Sequence, residues 1–176
     1  MAGVASWSGF VLVGCCSVPS IFDPEWDSRQ DRPPFVWRRA RLGRQAGSEK
    51  LGASLYELEP GAASYPLHVH YANEELIVVL SGRPTLRTLE GERTLEPGEV
   101  VACPNGRAGA HRLDNREGEA ARVLVISTML APELSEYPDS GKFGVRSYAP
   151  GAEAGDGSIN LVGRSSEGLD YFDGEV

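Results

Sequence analysis

Leu67-His68-Val69-His70-Tyr71-Ala72-Asn73-Glu74-Glu75-Leu76-Ile77-Val78-Val79-Leu80-Ser81-Gly82 holds two of the three histidines in this 176-residue chain. Alternate side chains of a strand point to the same face, so His68 and His70 aim two imidazoles at one point. After a four-residue link, Glu75 opens the next strand. Glu75, Ile77 and Val79 then share a face, and a carboxylate reaches inward among apolar neighbours. The same alternation turns Glu74, a rival ligand, outward. Leu76–Leu80 is apolar on both faces, which predicts cover from the barrel interior on one side and from another sheet or a second subunit on the other. A homodimer is therefore expected.

Outward from this stretch, turn signals recur: Glu59-Pro60-Gly61, Ser81-Gly82, Glu90-Gly91, Glu96-Pro97-Gly98, Asn105-Gly106 and Glu117-Gly118. Short runs rich in Leu, Val, Thr and Ile lie between most of them, the pattern of an all-β sandwich or barrel. Expected strands are 53–58, 67–70, 75–80, 85–89, 93–95, 100–102, 111–114 and 122–128. No stretch of this region keeps a 3.6-residue apolar period.

His111, the remaining histidine, begins a later strand and must enter from across the barrel. Three neutral imidazoles and one carboxylate make a mixed nitrogen and oxygen site. Such a set suits one divalent transition metal ion, Fe, Mn, Ni, Co, Cu or Zn, whereas calcium and magnesium prefer oxygen alone. His68, His70, Glu75 and His111 are thus the candidate ligands, and up to two further positions on a six-coordinate ion would stay open for a small molecule. His-x-His alone is a weak signal. Its weight comes from Glu75 on the matching face and from His111 at a strand start.

Residues 61–82 resemble the first sequence motif of the cupin family, with one extra residue between Gly61 and His68. Gly98-Glu99-Val100-Val101-Ala102-Cys103-Pro104-Asn105-Gly106-Arg107-Ala108-Gly109-Ala110-His111-Arg112-Leu113-Asp114-Asn115 resembles the second, with Gly106 and His111 two residues further apart than usual. The resemblance spans roughly residues 50–128. It implies a double-stranded β-helix, a jelly-roll barrel, with two His, one Glu and one further His on a divalent metal, commonly in a homodimer. Asn73-Glu74-Glu75, residues 137–142 and residues 171–175 resemble a bacterial group of single-domain cupins with no established activity.

The barrel core is expected over residues 51–130. Residues 20–50 carry Phe22, Trp26, Phe35 and Trp37 among prolines and read as an extended N-terminal arm that packs its aromatics on the barrel. Residues 131–176 hold nine acidic and three basic side chains, a net of −6, and read as an acidic C-terminal extension with only short possible strands. Arg38, Arg39, Arg41 and Arg44 read as a solvated strand edge facing that tail. With a net charge of −8 over the chain, a nucleic-acid partner is not expected. Arg83, Arg87, Arg107 and Arg112 are candidates to anchor an anionic ligand at the barrel mouth, with outward-facing strand positions the alternative for Arg87 and Arg112.

No apolar run approaches the ~20 residues of a membrane span. Residues 1–19 read as a leader. Leu12-Val13-Gly14-Cys15 resembles a lipoprotein cleavage box but lacks a basic segment before it, so a cytoplasmic protein is the expectation and export through Cys15 the alternative. Cys15, Cys16 and Cys103 form no spaced disulfide framework, and Cys103 reads as a small apolar filler.

The functional expectation is a metalloenzyme of isomerase, lyase or dioxygenase type acting on a small polar metabolite. All three histidines are used as ligands, so Tyr65, Tyr71 and Glu74, or a bound water, are left to move protons. The alternatives are a module that binds or senses a small ligand through the same metal, and a barrel in which the metal is only a staple.

Overall fold

The computed structural model describes residues 18–164, 166 and 168–175. Cys15, Cys16 and all but the last two residues of the expected leader lie outside the described residues. In chain order the elements are β1 (Ser28–Arg32), β2 (Phe35–Ala40), the one-turn helix α1 (Leu42–Gln45), β3 (Leu51–Leu58), β4 (Val69–His70), β5 (Glu75–Ser81), β6 (Thr85–Arg87), β7 (Glu92–Thr94), β8 (Val100–Cys103), β9 (Arg112–Asp114), β10 (Ala121–Thr128), β11 (Glu133–Tyr137), β12 (Lys142–Arg146) and β13 (Asn160–Arg164). One wall has the order β1-β2-β3-β10-β5-β8. The other consists of β7-β6-β9 and β4-β11-β12-β13. His68 and His111 exchange backbone hydrogen bonds, 3.3 Å and 3.0 Å, and this bridge links β9 to β4 so that the second wall is continuous. Two antiparallel walls closing on one core give the expected double-stranded β-helix.

The core follows the alternation legible in β5. Ile77 and Val79 are buried with Trp37, Leu58, Leu95, Leu113 and Val123, each large apolar side chain contributing about 1.5–3 kcal/mol by burial. Glu75 shares their face and so projects from the same wall into the interior. On the opposite face Leu80 packs with Trp26, Leu55 and Leu124, whereas Leu76 stays 40% exposed. Within the chain the cover over this face is partial, and the N-terminal segment contributes to it through Ile21 and Trp26. At the end of β5 the chain turns through Gly82, whose φ of 74° and closeness to Ala121 leave no room for a Cβ.

The N-terminal segment departs from an extended arm. β1 and β2 pair as a hairpin and extend the first wall beside β3. Trp37 thereby enters the core, while Phe22, expected to pack, is 85% exposed. The acidic C-terminal segment is also more ordered in the chain than its composition suggests. β11, β12 and β13 form consecutive antiparallel pairs, and β11 adds to β4 with Ser135 opposite His70. Tyr171 and Phe172 are largely exposed and pack edge to face on one another. No helix among the described residues is long and apolar enough to cross a membrane.

Candidate metal centre

Three separate strands bring the histidines and Glu75 together. His68 and His70 flank Val69, which is fully buried on the other side of β4, so both rings point into the barrel as strand alternation requires. One ligand atom each of His68, His70 and Glu75 lies within 4.8 Å of the others. His111 enters from the start of β9, its Nε2 3.1 Å from Glu75 Oε2 and its ring centroid 4.5 Å from that of His68. His70 Nε2 faces the same carboxylate oxygen at 3.9 Å.

The backbone sets the tautomers. His68 Nδ1 lies 2.9 Å from the Pro66 carbonyl and His111 Nδ1 lies 2.8 Å from the Gly109 carbonyl. A carbonyl only accepts, so each Nδ1 carries a proton and donates it. Each Nε2 is thereby aimed at the shared point, the arrangement usual for metal-binding imidazoles. The donor set fits a transition metal on this ground, with His68, His70 and Glu75 as the tight group and His111 beside it.

Burial decides the charge state of the cluster. Burial, then the neighbouring His111 and His70, pushes the His68 pKa well below the usual imidazole range, so its ring is neutral. Burial opposes charge on Glu75, but the His111 hydrogen bond and the surrounding imidazoles outweigh it and hold the carboxyl well below its ordinary value. For His111 burial also disfavours the cation. Hydrogen bonding to Cys103 and Glu75 more than compensates, and its pKa is pushed up to about 10. Without metal, a Glu75–His111 ion pair therefore occupies the centre at neutral pH.

Glu133 at the start of β11, only 3% exposed, belongs to neither of the two motif stretches of the sequence. Its Oε2 lies 3.6 Å from His70 Nδ1, which has no hydrogen-bond partner among the described residues. The same carboxylate accepts from the backbone N–H groups of Tyr71 and Ala72, at 3.1 Å and 3.3 Å, and from Asn73 Nδ2. It thus clamps the link between His70 and Glu75 and faces the back of the His70 ring. The signal that could have found it is a hairpin pattern: two short runs, 133–137 and 142–146, around Pro138-Asp139-Ser140-Gly141.

The centre opens into a cavity of about 780 Å³. Tyr65 lines it, its hydroxyl 3.2 Å from that of Tyr56. Burial, then Tyr56, pushes the Tyr65 pKa up strongly, so this phenol keeps its proton. The other two expected proton carriers do not line the cavity. Glu74 is exposed, as alternation from Leu76 requires, and Tyr71 turns outward to donate to Glu136 at 2.9 Å. Nor do Arg83, Arg87, Arg107 and Arg112 line it, each being paired with a carboxylate on the outside: Glu96, Asp139, Glu136 and Asp114 respectively. The basic group before the barrel divides. Arg38 pairs with Glu57 and Arg41 with Asp27, and Arg44 reaches Glu153 of the C-terminal segment at 3.9 Å. Arg39 is half-buried and lines the cavity, so it is no solvated edge residue.

Residues 54–127 match the family model for the cupin domain. Among solved structures, the chain is similar to a candidate sugar phosphate isomerase of Acidithiobacillus ferrooxidans, at 28% identity and a TM-score of 0.69, with 78% of this chain and 82% of that chain covered. It is also similar to a cupin-superfamily sugar phosphate isomerase of Silicibacter pomeroyi, at 27% identity and a TM-score of 0.67, again with 78% and 82% covered. No curated protein matches the chain.

Proposed function

We propose that this protein, whose residues 54–127 match the cupin-domain model, is a metal-dependent isomerase of a small hydroxy-carbonyl metabolite. The observation that carries the proposal is the pinning of Nδ1 of His68 and His111 on backbone carbonyls, which directs their Nε2 atoms at Glu75 beside a 780 Å³ cavity. The likeness over most of the chain to a sugar phosphate isomerase and to a candidate one favours isomerisation over the lyase and dioxygenase alternatives.

A divalent metal on His68, His70, Glu75 and His111 would supply Lewis-acid polarisation of a carbonyl or hydroxyl oxygen. The chain's own groups do the rest. Glu75 offsets positive charge inside the barrel, and His111 must give up its extra proton before its Nε2 can coordinate. Arg39 donates to the Tyr56 hydroxyl at 3.3 Å. Tyr56 can then donate to Tyr65, which leaves the Tyr65 O–H free to donate to a substrate oxygen in the cavity. Held protonated by burial, Tyr65 acts as a hydrogen-bond donor or acid and not as a base.

The test is elemental analysis of the purified protein beside His70→Ala and Glu75→Ala, followed by proton NMR of aldose and ketose phosphates in D2O. Near one equivalent of a transition metal, lost in both variants, with deuterium entering the carbon next to the carbonyl, is expected. Metal bound without exchange on any such substrate would leave a binding module; no metal even after reconstitution would refute the centre itself.

A further inference from the structure

The cavity is lined by both acids and bases, and three of its cations have no ion-pair partner among the described residues. Arg38, Arg41, Arg83, Arg87, Arg112 and Arg122 all meet carboxylates within 4.0 Å, as expected in a chain of net charge −8. Arg39, Lys142 and Arg146 line the cavity, are half-buried, and have no carboxylate at ion-pair distance among the described residues. Arg39 is held in place by its Nε on Ser28 Oγ at 3.0 Å and by the Tyr56 hydroxyl, and its guanidinium lies 5.6 Å from the Trp37 ring centre. Two of its five donors are used, so three remain. Lys142 and Arg146 lie two residues apart from Gly144 on the cavity face of β12, over the rings of Tyr137 and Tyr148 respectively.

The sheet register relates these cations to the metal centre. His70 lies opposite Ser135, and Ser135 lies opposite Gly144. Lys142 and Arg146 therefore flank the row that runs from His70 across the second wall, two strands away, or roughly 10 Å at ordinary strand spacing. Arg39 approaches from the first wall. Leaving three charges half-buried without counter-ions is unfavourable unless a ligand supplies the anion.

We infer that Arg39, Lys142 and Arg146 form a subsite for the phosphate group of a phosphate monoester whose other end reaches the histidine cluster. A carboxylate carries one negative charge, whereas a phosphate monoester carries about 1.5–2 at neutral pH, as phosphorylated side chains do, which is the closer match to three cations. Bidentate phosphate recognition also suits the two guanidinium groups. This inference deepens the isomerase reading and rests on it for the far end of the substrate.

Inorganic phosphate titrated into chelator-treated protein, followed by calorimetry, tests the subsite without metal or turnover. Wild type should bind, and Arg39→Gln, Lys142→Gln and Arg146→Gln should each weaken binding about tenfold or more, the usual effect of removing a charged hydrogen-bond partner. Arg83→Gln, which alters a pair outside the cavity, should bind like wild type. Arg39 also braces Tyr56, so the result is read together with Lys142→Gln, whose ammonium makes no hydrogen bond or ion pair among the described residues. Sulfate should compete and acetate should not. Absence of phosphate binding by wild type, equal binding by the three variants, or competition by acetate as strong as by sulfate would overturn the assignment. Metal content measured on the same variants before chelator treatment reports on the histidine centre separately, so failure of one reading is not mistaken for failure of the other.

Discussion

Replacing Glu133 by Gln should weaken metal binding although Glu133 belongs to none of the sequence motifs. The substitution keeps the volume and an oxygen for the Tyr71 and Ala72 N–H groups, now 3.1 Å and 3.3 Å from Oε1. It places an NH2 where Oε2 accepts from Asn73 Nδ2 and faces the His70 Nδ1 at 3.6 Å. One charge-assisted hydrogen bond is lost, about 1.5–3 kcal/mol. At about 2–4 °C per kcal/mol for a chain of this size, the melting temperature should fall by about 3–12 °C. Loss of the carboxylate that faces His70 Nδ1 removes the group placed to orient the ring and raise its basicity once a metal binds, which for such partners typically costs 10–100-fold in metal affinity, or about 1.4–2.7 kcal/mol. Competition with a chromogenic chelator measures the affinity, and calorimetry of the metal-free protein measures the fold. If the variant melts lower yet holds metal within about twofold of wild type, Glu133 clamps residues 71–73 and does not orient His70, and the reasoning from its position behind the ring fails.

Metal binding should depend on pH through His111. Its pKa is pushed up to about 10 in the metal-free fold against an ordinary 6.5, so the Glu75–His111 pair contributes stability that is fully present below pH 6.5 and is lost as pH rises through about 10. Between those limits metal affinity should rise by about one decade per pH unit with one proton released, checked by calorimetry in buffers of different ionisation enthalpy. Asn115→Ala removes a 1% exposed amide that donates to the carbonyls of Leu58, Glu59 and Glu119; a loss of about 2–4 kcal/mol in urea unfolding is expected, and no loss would refute its place as the tie between β3 and the turn before β10. Gly82→Ala forces a Cβ to 2.7 Å from Ala121 Cα at φ 74°, costing about 1–3 kcal/mol for the backbone and more for the overlap, again read in urea.

The barrel was legible in the sequence because its information is local. Strands β3 to β10 fall within a few residues of the runs between turn signals, since alternation and Gly or Pro punctuation act over two to eight residues. The same period-two rule placed His68, His70 and the inward face of Glu75, Ile77 and Val79, and turned Glu74 outward. The terminal segments were less legible for an identifiable reason. Their strands are short and polar or amphipathic, and composition outweighed pattern: aromatics and prolines suggested an arm over β1 and β2, and acid suggested a tail over β11 to β13.

Local patterning was thus enough for an all-β barrel and for the residues with metal-binding chemistry, because a strand's alternation decides which side chains share a face. What stands behind and around them follows from how the closed barrel pairs distant strands. Glu133 meets His70 through the β4–β11 pairing, from 63 positions further along the chain (133 − 70). Arg39 lines the same cavity as Lys142 and Arg146 only because the two walls close on it. Contacts between distant segments cost chain entropy that is recovered by burial of the whole core. They are therefore a property of the closed barrel and leave no mark on the residues that make them.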